Sequence, residues 1–263
     1  MNSKKERDDM ISLKCYKGKT AVLTGAASGM GLLASQLLVR AGANVVMCDV
    51  NAKALCRAAK ELNAEGRPGR AFACTVDVRK YADAERAARL AVRRTKRIDL
   101  LVNFAGGFEP RICGTLGRPF YEQPVEVLDW GIDVNLKGAI YFSRACMPQM
   151  VKQDSGVIVC MGSVHGFEGD GCGAMYGTAK SGLFNFVKGL ARAGAPHGVR
   201  AFAVSPGPVM TRPGMAGMKT LLGFQSQPEE LVNYILFLAS DDCRSITGTN
   251  HVMDCGRLAM SVA

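Results

Sequence analysis

Residues 19–24 form a short apolar run that ends in Thr24-Gly25-Ala26-Ala27-Ser28-Gly29-Met30-Gly31. A helical pattern through Leu32, Leu33, Leu37 and Leu38 follows at once, and Gly42 stops it. This strand, glycine loop and helix constrain the fold more than any other feature, because the helix must turn back over the strand it leaves. The unit then repeats. Strand patterns stand at 44–49, 71–76, 98–103, 156–161, 199–204 and 250–253. Helical patterns stand at 52–65, over the basic segment 79–97, and at 125–151, 174–193 and 228–239. Such alternation implies an α/β fold, a parallel sheet of about seven strands with helices on both faces and right-handed crossovers. There is no internal repeat and no Pro/Ser-rich linker. Residues 19–263 therefore read as a single doubly wound domain, and residues 1–18 as a mobile N-terminal arm.

Composition removes other classes. With 48% hydrophobic and 21% charged residues, the chain is neither disordered nor collagen-like. No apolar run approaches the ~20 residues of a membrane helix. Residues 1–10 are charged with no apolar stretch behind them, so no secretory signal and a cytoplasmic location are expected. None of the ten cysteines has CxxC spacing. Zinc-ribbon and thioredoxin readings fail, and reduced, buried cysteine is expected. His197 and His251 give no metal spacing, and no metal site is expected. Much of the net charge of +10 lies in residues 79–97, where eight basic residues face two acids. Ala84, Ala87, Ala88, Ala91 and Val92 recur at helical spacing there, and no aromatics interleave the basic residues. A solvated helix face is expected, and no nucleic-acid partner.

The glycine loop lies where a strand meets a helix N-terminus. Glycine lets the backbone approach a pyrophosphate, and the helix offers free N–H groups and a partial positive charge. Asp49 stands 18 residues after Gly31, at the end of the second strand. A carboxylate there can accept hydrogen bonds from both adenosine ribose hydroxyls and repels a 2′-phosphate. Neither Val50 nor Asn51 is cationic, so NAD is the expected cofactor rather than NADP. The alternative role for Asp49 is a helix N-cap.

Tyr176 and Lys180 are four apart in a helical segment and share a face. An ammonium ~4 Å from a phenol is worth roughly 4 kcal/mol at an effective dielectric near 20, about three pKa units. That would let the phenol exchange a proton near neutrality. Alone, the pair is equally a surface tyrosine beside a solvated lysine.

Its company decides. The sequence resembles the short-chain dehydrogenase/reductase family, in its single-domain Rossmann branch. The resemblance rests on Thr24-Gly25 with Gly29 and Gly31, Asp77-Val78, Asn103-Phe104-Ala105-Gly106, Asn135, Ser163 thirteen residues before Tyr176, and Pro206-Gly207-Pro208-Val209-Met210-Thr211. Phe104 stands where the family has a second Asn. The resemblance implies hydride transfer between a nicotinamide and a secondary alcohol or ketone. Tyr176 would be the general acid/base, Lys180 would lower its pKa and hold the nicotinamide ribose, and Ser163 would hold the substrate oxygen. Asn135 would anchor a water in a proton relay. Gly25, Ser28, Gly29, Met30, Gly31, Asp49, Asp77, Val78, Asn103, Ala105, Gly106, Pro206, Gly207, Val209 and Thr211 would line the cofactor, with Tyr176 and Lys180. It also implies a homodimer or tetramer built through the helices at 125–151 and 174–193.

The loop 208–227 carries Met210, Met215, Met218, Leu221, Leu222 and Phe224, and the loop 107–124 carries Phe108, Phe120 and Tyr121. Methionine adapts to irregular apolar shapes, so a bulky apolar substrate such as a hydroxysteroid is expected. The alternatives are a 3-oxoacyl thioester (acyl-carrier-protein) reductase, for which a basic surface would suit an acidic carrier, and a non-catalytic nicotinamide-binding sensor. His165, two residues past Ser163, reads as an ordinary loop histidine.

Overall fold

The computed structural model describes residues 13–260. The strands are β1 (Thr20–Thr24), β2 (Asn44–Asp49), β3 (Arg70–Thr75), β4 (Leu100–Asn103), β5 (Gly156–Met161), β6 (Val199–Pro206) and β7 (Asn250–Met253). They form one parallel sheet in the order β3-β2-β1-β4-β5-β6-β7. Every residue of β1, β4 and β5 is buried, which is why these strands read as continuous apolar runs.

The helices are α1 (Gly29–Arg40), α2 (Ala52–Ala64), α3 (Tyr81–Thr95), the single turn α4 (Glu109–Ile112), α5 (Val125–Ile132), α6 (Gly138–Lys152), α7 (Ala174–Gly194) and α8 (Pro228–Ala239). Successive strand residues point to opposite faces. On one face Ala21 and Leu23 of β1 join Leu38, Leu55 and Leu236; on the other Val22 joins Ala87, Phe142 and Leu183. Each face thus has its own core, as a doubly wound sheet requires.

Three expectations change. Residues 13–18 are not an extension of a mobile arm: Tyr16 is buried, and its hydroxyl donates to Leu236 O at 2.6 Å. Residues 1–12 lie outside the described residues. The helix at 125–151 is interrupted by a π turn, Asp133–Lys137. Only half of the cysteines are buried (Cys48, Cys74, Cys146, Cys160 and Cys243), and Cys56, on α2, is exposed. The basic helix is α3, with Ala84, Ala87, Ala88 and Ala91 buried and Arg86 and Arg89 paired to Asp83 and Glu85. Among the described residues no helix is long and apolar enough to cross a membrane.

Candidate active site

The strand order reverses between β1 and β4, and a crevice opens at their C-terminal ends, where α/β sheets bind ligands. Thr24 Oγ1 accepts from Ala105 N at 3.0 Å and ties the loop after β4 to the end of β1. A cleft of about 350 Å³ lies here, and Gly25, Ser28, Met30, Gly31, Asp49, Asp77, Val78, Ala105 and Gly106 help to line it. Gly25 has φ of 65°, a left-handed backbone that glycine adopts freely. A Cβ on Gly31 would overlap the Gly25 carbonyl. Ser28 is the N-cap of α1, yet its hydroxyl makes no capping bond, so it and the first N–H groups of α1 face the cleft as donors.

Asp49 is not the N-cap of α2. Asn51 holds that position and accepts from Ala54 N at 3.1 Å. Asp49 instead accepts from Ala27 N at 3.0 Å and Asn51 N at 2.9 Å. These two bonds orient its carboxylate at the cleft and leave lone pairs for a further donor. Arg79, which sequence reasoning overlooked, also lines the cleft. It pairs with Asp77 at 2.8 Å, and that guanidinium holds the Asp77 carboxyl below the usual carboxylate range. Asn103 is placed differently from the other cleft residues. Its amide reaches across the sheet toward Val159 O at 3.5 Å and Cys160 Sγ at 3.7 Å. Pro206 ends β6, and Gly207, Val209 and Thr211 stand on the chain leaving it.

The other end of the crevice, at Gly106, lies against the residues expected to carry proton transfer, Asn135, Ser163, Tyr176 and Lys180. Asn135 lies in the π turn and is buried. Its Oδ1 accepts from Gly107 N at 2.8 Å, and its Nδ2 donates to Gly107 O and Gly131 O, both at 2.9 Å. The extra residue of a π turn re-aims a side chain, here onto the loop after β4. Ser163 accepts from His165 N at 3.2 Å, and its hydroxyl hydrogen-bonds the Tyr176 phenol. Lys180 is buried, and its Nζ donates to Met161 O at 2.7 Å. That uses one of three donors. Tyr176 shares the helix face with Lys180, whose Nζ lies 5.4 Å from the Tyr176 ring centre.

Residues 19–220 match the family model described as short chain dehydrogenase. The chain belongs to the short-chain dehydrogenase family. It is 34% identical over 252 residues to the trans-4-hydroxycyclohexanecarboxylate dehydrogenase of Sinomonas cyclohexanicum, covering 92% of this chain and 93% of that one. It is 29% identical over 256 residues to the 7alpha-hydroxysteroid dehydrogenase of Bacteroides fragilis, covering 92% and 95%. Among solved structures it matches a 3-oxoacyl-[acyl-carrier protein] reductase of Brucella melitensis with bound NAD, at a TM-score of 0.83, 30% identity and 92% coverage of both chains.

The electrostatics of this short-chain dehydrogenase depart from the simple Tyr–Lys picture. Burial pushes the Tyr176 phenol up; the Ser163 hydroxyl beside it and the charges of Arg212 and Arg111 pull it down. Lys180 is not among the leading influences on the phenol, and burial lowers its own value from 10.5 to about 8. The folded value lies below the unfolded one, so from about pH 8 to 10.5 the unfolded chain binds more protons and stability rises with pH. Below that window the penalty is present in full. Lys180→Met is therefore expected to stabilise the apo protein at pH 7 by about 2 kcal/mol, roughly 3 from the ionisation penalty less about 1 for the lost bond to Met161 O. The gain should vanish near the top of the window. Melting curves of both proteins at the two ends of the window test this, and a less stable variant at neutral pH would contradict it.

Glu109, which escaped sequence reasoning, and His165 are two further neighbours of the site. Glu109 is buried, and its Oε1 accepts from Met175 N at 3.1 Å and Tyr176 N at 3.0 Å. It closes the N-terminal turn of α7 from another element, and burial raises its pKa. His165 is no ordinary loop histidine: its ring packs edge-on at 5.8 Å from Tyr176 and 6.0 Å from Phe108. Phe108 in turn lies 5.9 Å from Tyr176. This three-ring cluster fixes the plane of the tyrosine.

Proposed function

We propose that this protein is an NAD-dependent dehydrogenase of bulky apolar secondary alcohols, hydroxysteroids among them. The observation that carries the reading is the meeting of Tyr176, the Ser163 hydroxyl bonded to it and a buried, under-bonded Lys180 at the end of a dinucleotide cleft. The residues present fit a dinucleotide. Its pyrophosphate would lie on the glycine loop and the start of α1, its adenosine ribose on Asp49 and its nicotinamide ribose on the two free donors of Lys180. A Cβ on Gly106 would stand 3.3 Å from Lys180 Nζ, so only glycine leaves that approach open.

When bound, the nicotinamide supplies the hydride acceptor or donor at its C4. The chain does the rest. Ser163 donates to the substrate oxygen and holds it in line. Tyr176 takes the carbinol proton in the oxidative direction and returns it in the other. Asn135 pins the loop at Gly107, and with it the neighbouring Gly106 beside Lys180. Its two amide protons are committed to carbonyls, so a relay water would have only Oδ1 to meet.

NAD is favoured over NADP because Asp49 is directed at the cleft rather than at α2, and because Arg79, the cation nearby, is neutralised by Asp77. An apolar substrate is favoured by the lid. The strand-like contact of Val209 with Ser226 ties its two ends together, yet Leu221, Leu222 and Phe224 between them are 60%, 62% and 53% exposed. An apolar ligand would cover them. The relative from Bacteroides acts, by its name, on a hydroxysteroid. The thioester reductase stands as the second reading: a reductase of that kind with NAD bound is among the similar structures, so cofactor choice does not separate the two. We place the enzyme in the cytoplasm as a homodimer or tetramer.

The test is turnover of a panel of secondary alcohols, hydroxysteroids included, with NAD and NADP side by side. Trp130, the one tryptophan, lines the cleft, so NADH binding should quench its emission. NADH formed from hydroxysteroids, with NAD preferred, is expected. Turnover with NADP alone, or quenching with no turnover of any alcohol, would overturn the reading.

A further inference from the structure

The helix α7 carries both Tyr176 and Lys180, yet its N-cap, Gly173, has no side chain to bond its first turn. Asp170 serves the N–H groups just before the helix, accepting from Cys172 N at 2.8 Å and Gly173 N at 2.6 Å. The next donors are Met175 N and Tyr176 N, the second and third helical positions, where a capping side chain normally bonds. Glu109 takes both from another element, with its Oε1 at 3.1 and 3.0 Å.

The seat of this carboxylate is closely fitted. Glu109 is 1% exposed. A Cβ on Gly131 of α5 would stand 2.8 Å from Met175 Cβ and 3.2 Å from Glu109 Cδ, so only glycine lets the acid reach the start of α7. The Gly131 carbonyl accepts from Asn135 Nδ2, and Asn135 Oδ1 accepts from Gly107 N. Gly107, Phe108 and Glu109 thus form a splint. Asn135 pins the first, the second packs edge-on 5.9 Å from the Tyr176 ring, and the third holds the Tyr176 backbone. Consecutive residues grip the tyrosine at both ends.

Capping needs only a neutral acceptor. Glu109 brings a carboxylate whose second oxygen, Oε2, is buried with no hydrogen bond among the described residues. A buried charge satisfied on one side costs stability, and here that charge lies against the Tyr176 backbone. Burial raises the Glu109 pKa, and its backbone hydrogen bonds pull it back. Its charge opposes ionisation of the phenol. The other titratable groups around the two are Asp170 before α7, Arg111 and Cys113 in and after α4, and His165, Arg212 and Lys180; α5 presents Gly131 there.

We propose that Glu109 is a positioning residue of the dehydrogenase reaction, fixing the Tyr176 backbone at the start of α7 and setting a buried negative charge beside the acid/base. The proposal rests on Tyr176 as the acid/base.

The test reads the phenol itself. Protein isotopically labelled at tyrosine Cζ is titrated by NMR, and Tyr176→Phe identifies the Tyr176 signal by its loss. Glu109→Gln keeps an acceptor for the N–H groups and removes the charge. Its Tyr176 signal is expected to titrate about half a pH unit lower than in the unaltered protein. With NAD and the panel of secondary alcohols, the rising limb of turnover against pH should move the same way. Glu109→Ala removes acceptor and charge together and should lower the plateau turnover about tenfold, and Glu109→Gln should restore most of that loss. An unmoved Tyr176 signal in Glu109→Gln would overturn the proposal, because Glu109 would then be a structural cap alone. So would unaltered turnover in Glu109→Ala. Melting curves show whether the Ala variant is folded; where it is not, the Gln titration decides by itself. Failure of the hydride-transfer reading looks different: the signal moves but no alcohol yields NADH, and the role of Glu109 in the reaction falls with that reading.

Discussion

Replacing Tyr176 with Phe is expected to lower turnover by about three orders of magnitude and to leave NADH affinity within a factor of about three. The substitution removes only the hydroxyl. The ring stays in its cluster with Phe108 and His165, at 5.9 and 5.8 Å, so the fold and the cleft persist. What is lost is the group proposed to take the carbinol proton. Ser163 remains and can hold the substrate oxygen, but its hydroxyl is a poor base at neutral pH. Steady-state turnover and the quenching of Trp130 by NADH, measured on the same preparation, separate the two effects. Near-normal turnover would remove Tyr176 from the chemistry, and lost NADH binding would show that the ring had a larger part in the cleft than its contacts imply.

Asp49→Asn should change the cofactor ratio more than it changes the chemistry. The carboxylate is oriented by Ala27 N and Asn51 N, at 3.0 and 2.9 Å, and an amide oxygen can keep one of these bonds. The charge is lost. Hydrogen bonds from ribose hydroxyls to a carboxylate are worth about 1.5–3 kcal/mol, and repulsion of a 2′-phosphate disappears with the charge. The ratio of kcat/KM for NAD to that for NADP is expected to fall by about two orders of magnitude, most of it in KM. Both constants measured on the variant check this. An unchanged ratio would mean that the adenosine ribose lies elsewhere.

Features that repeat locally were legible in the sequence. The alternation of apolar strands with helical patterns gives the seven-stranded parallel sheet and its two cores, and the glycine loop falls between β1 and α1 as read. Features made by distant residues were not. Glu109 caps a helix whose bonded residues lie 66 and 67 positions away, and a lone acid in a loop carries no sign of that. The π turn at Asp133–Lys137 was hidden because one extra residue barely disturbs an apolar stripe. Tyr16 docks on α8 through a carbonyl, which no side-chain pattern records. Helical spacing put Tyr176 and Lys180 on one face, but not the depth that brings Lys180 to about 8.

The most direct measurement follows one atom. The protein is given NADH carrying deuterium at one face of the nicotinamide C4, with a cyclic ketone, and the product alcohol is analysed by mass spectrometry and NMR. The expected result is a single deuterium on the carbinol carbon from one of the two labelled forms and none from the other. Product without label, or no product while Trp130 emission shows the cofactor bound, would contradict hydride transfer at this site.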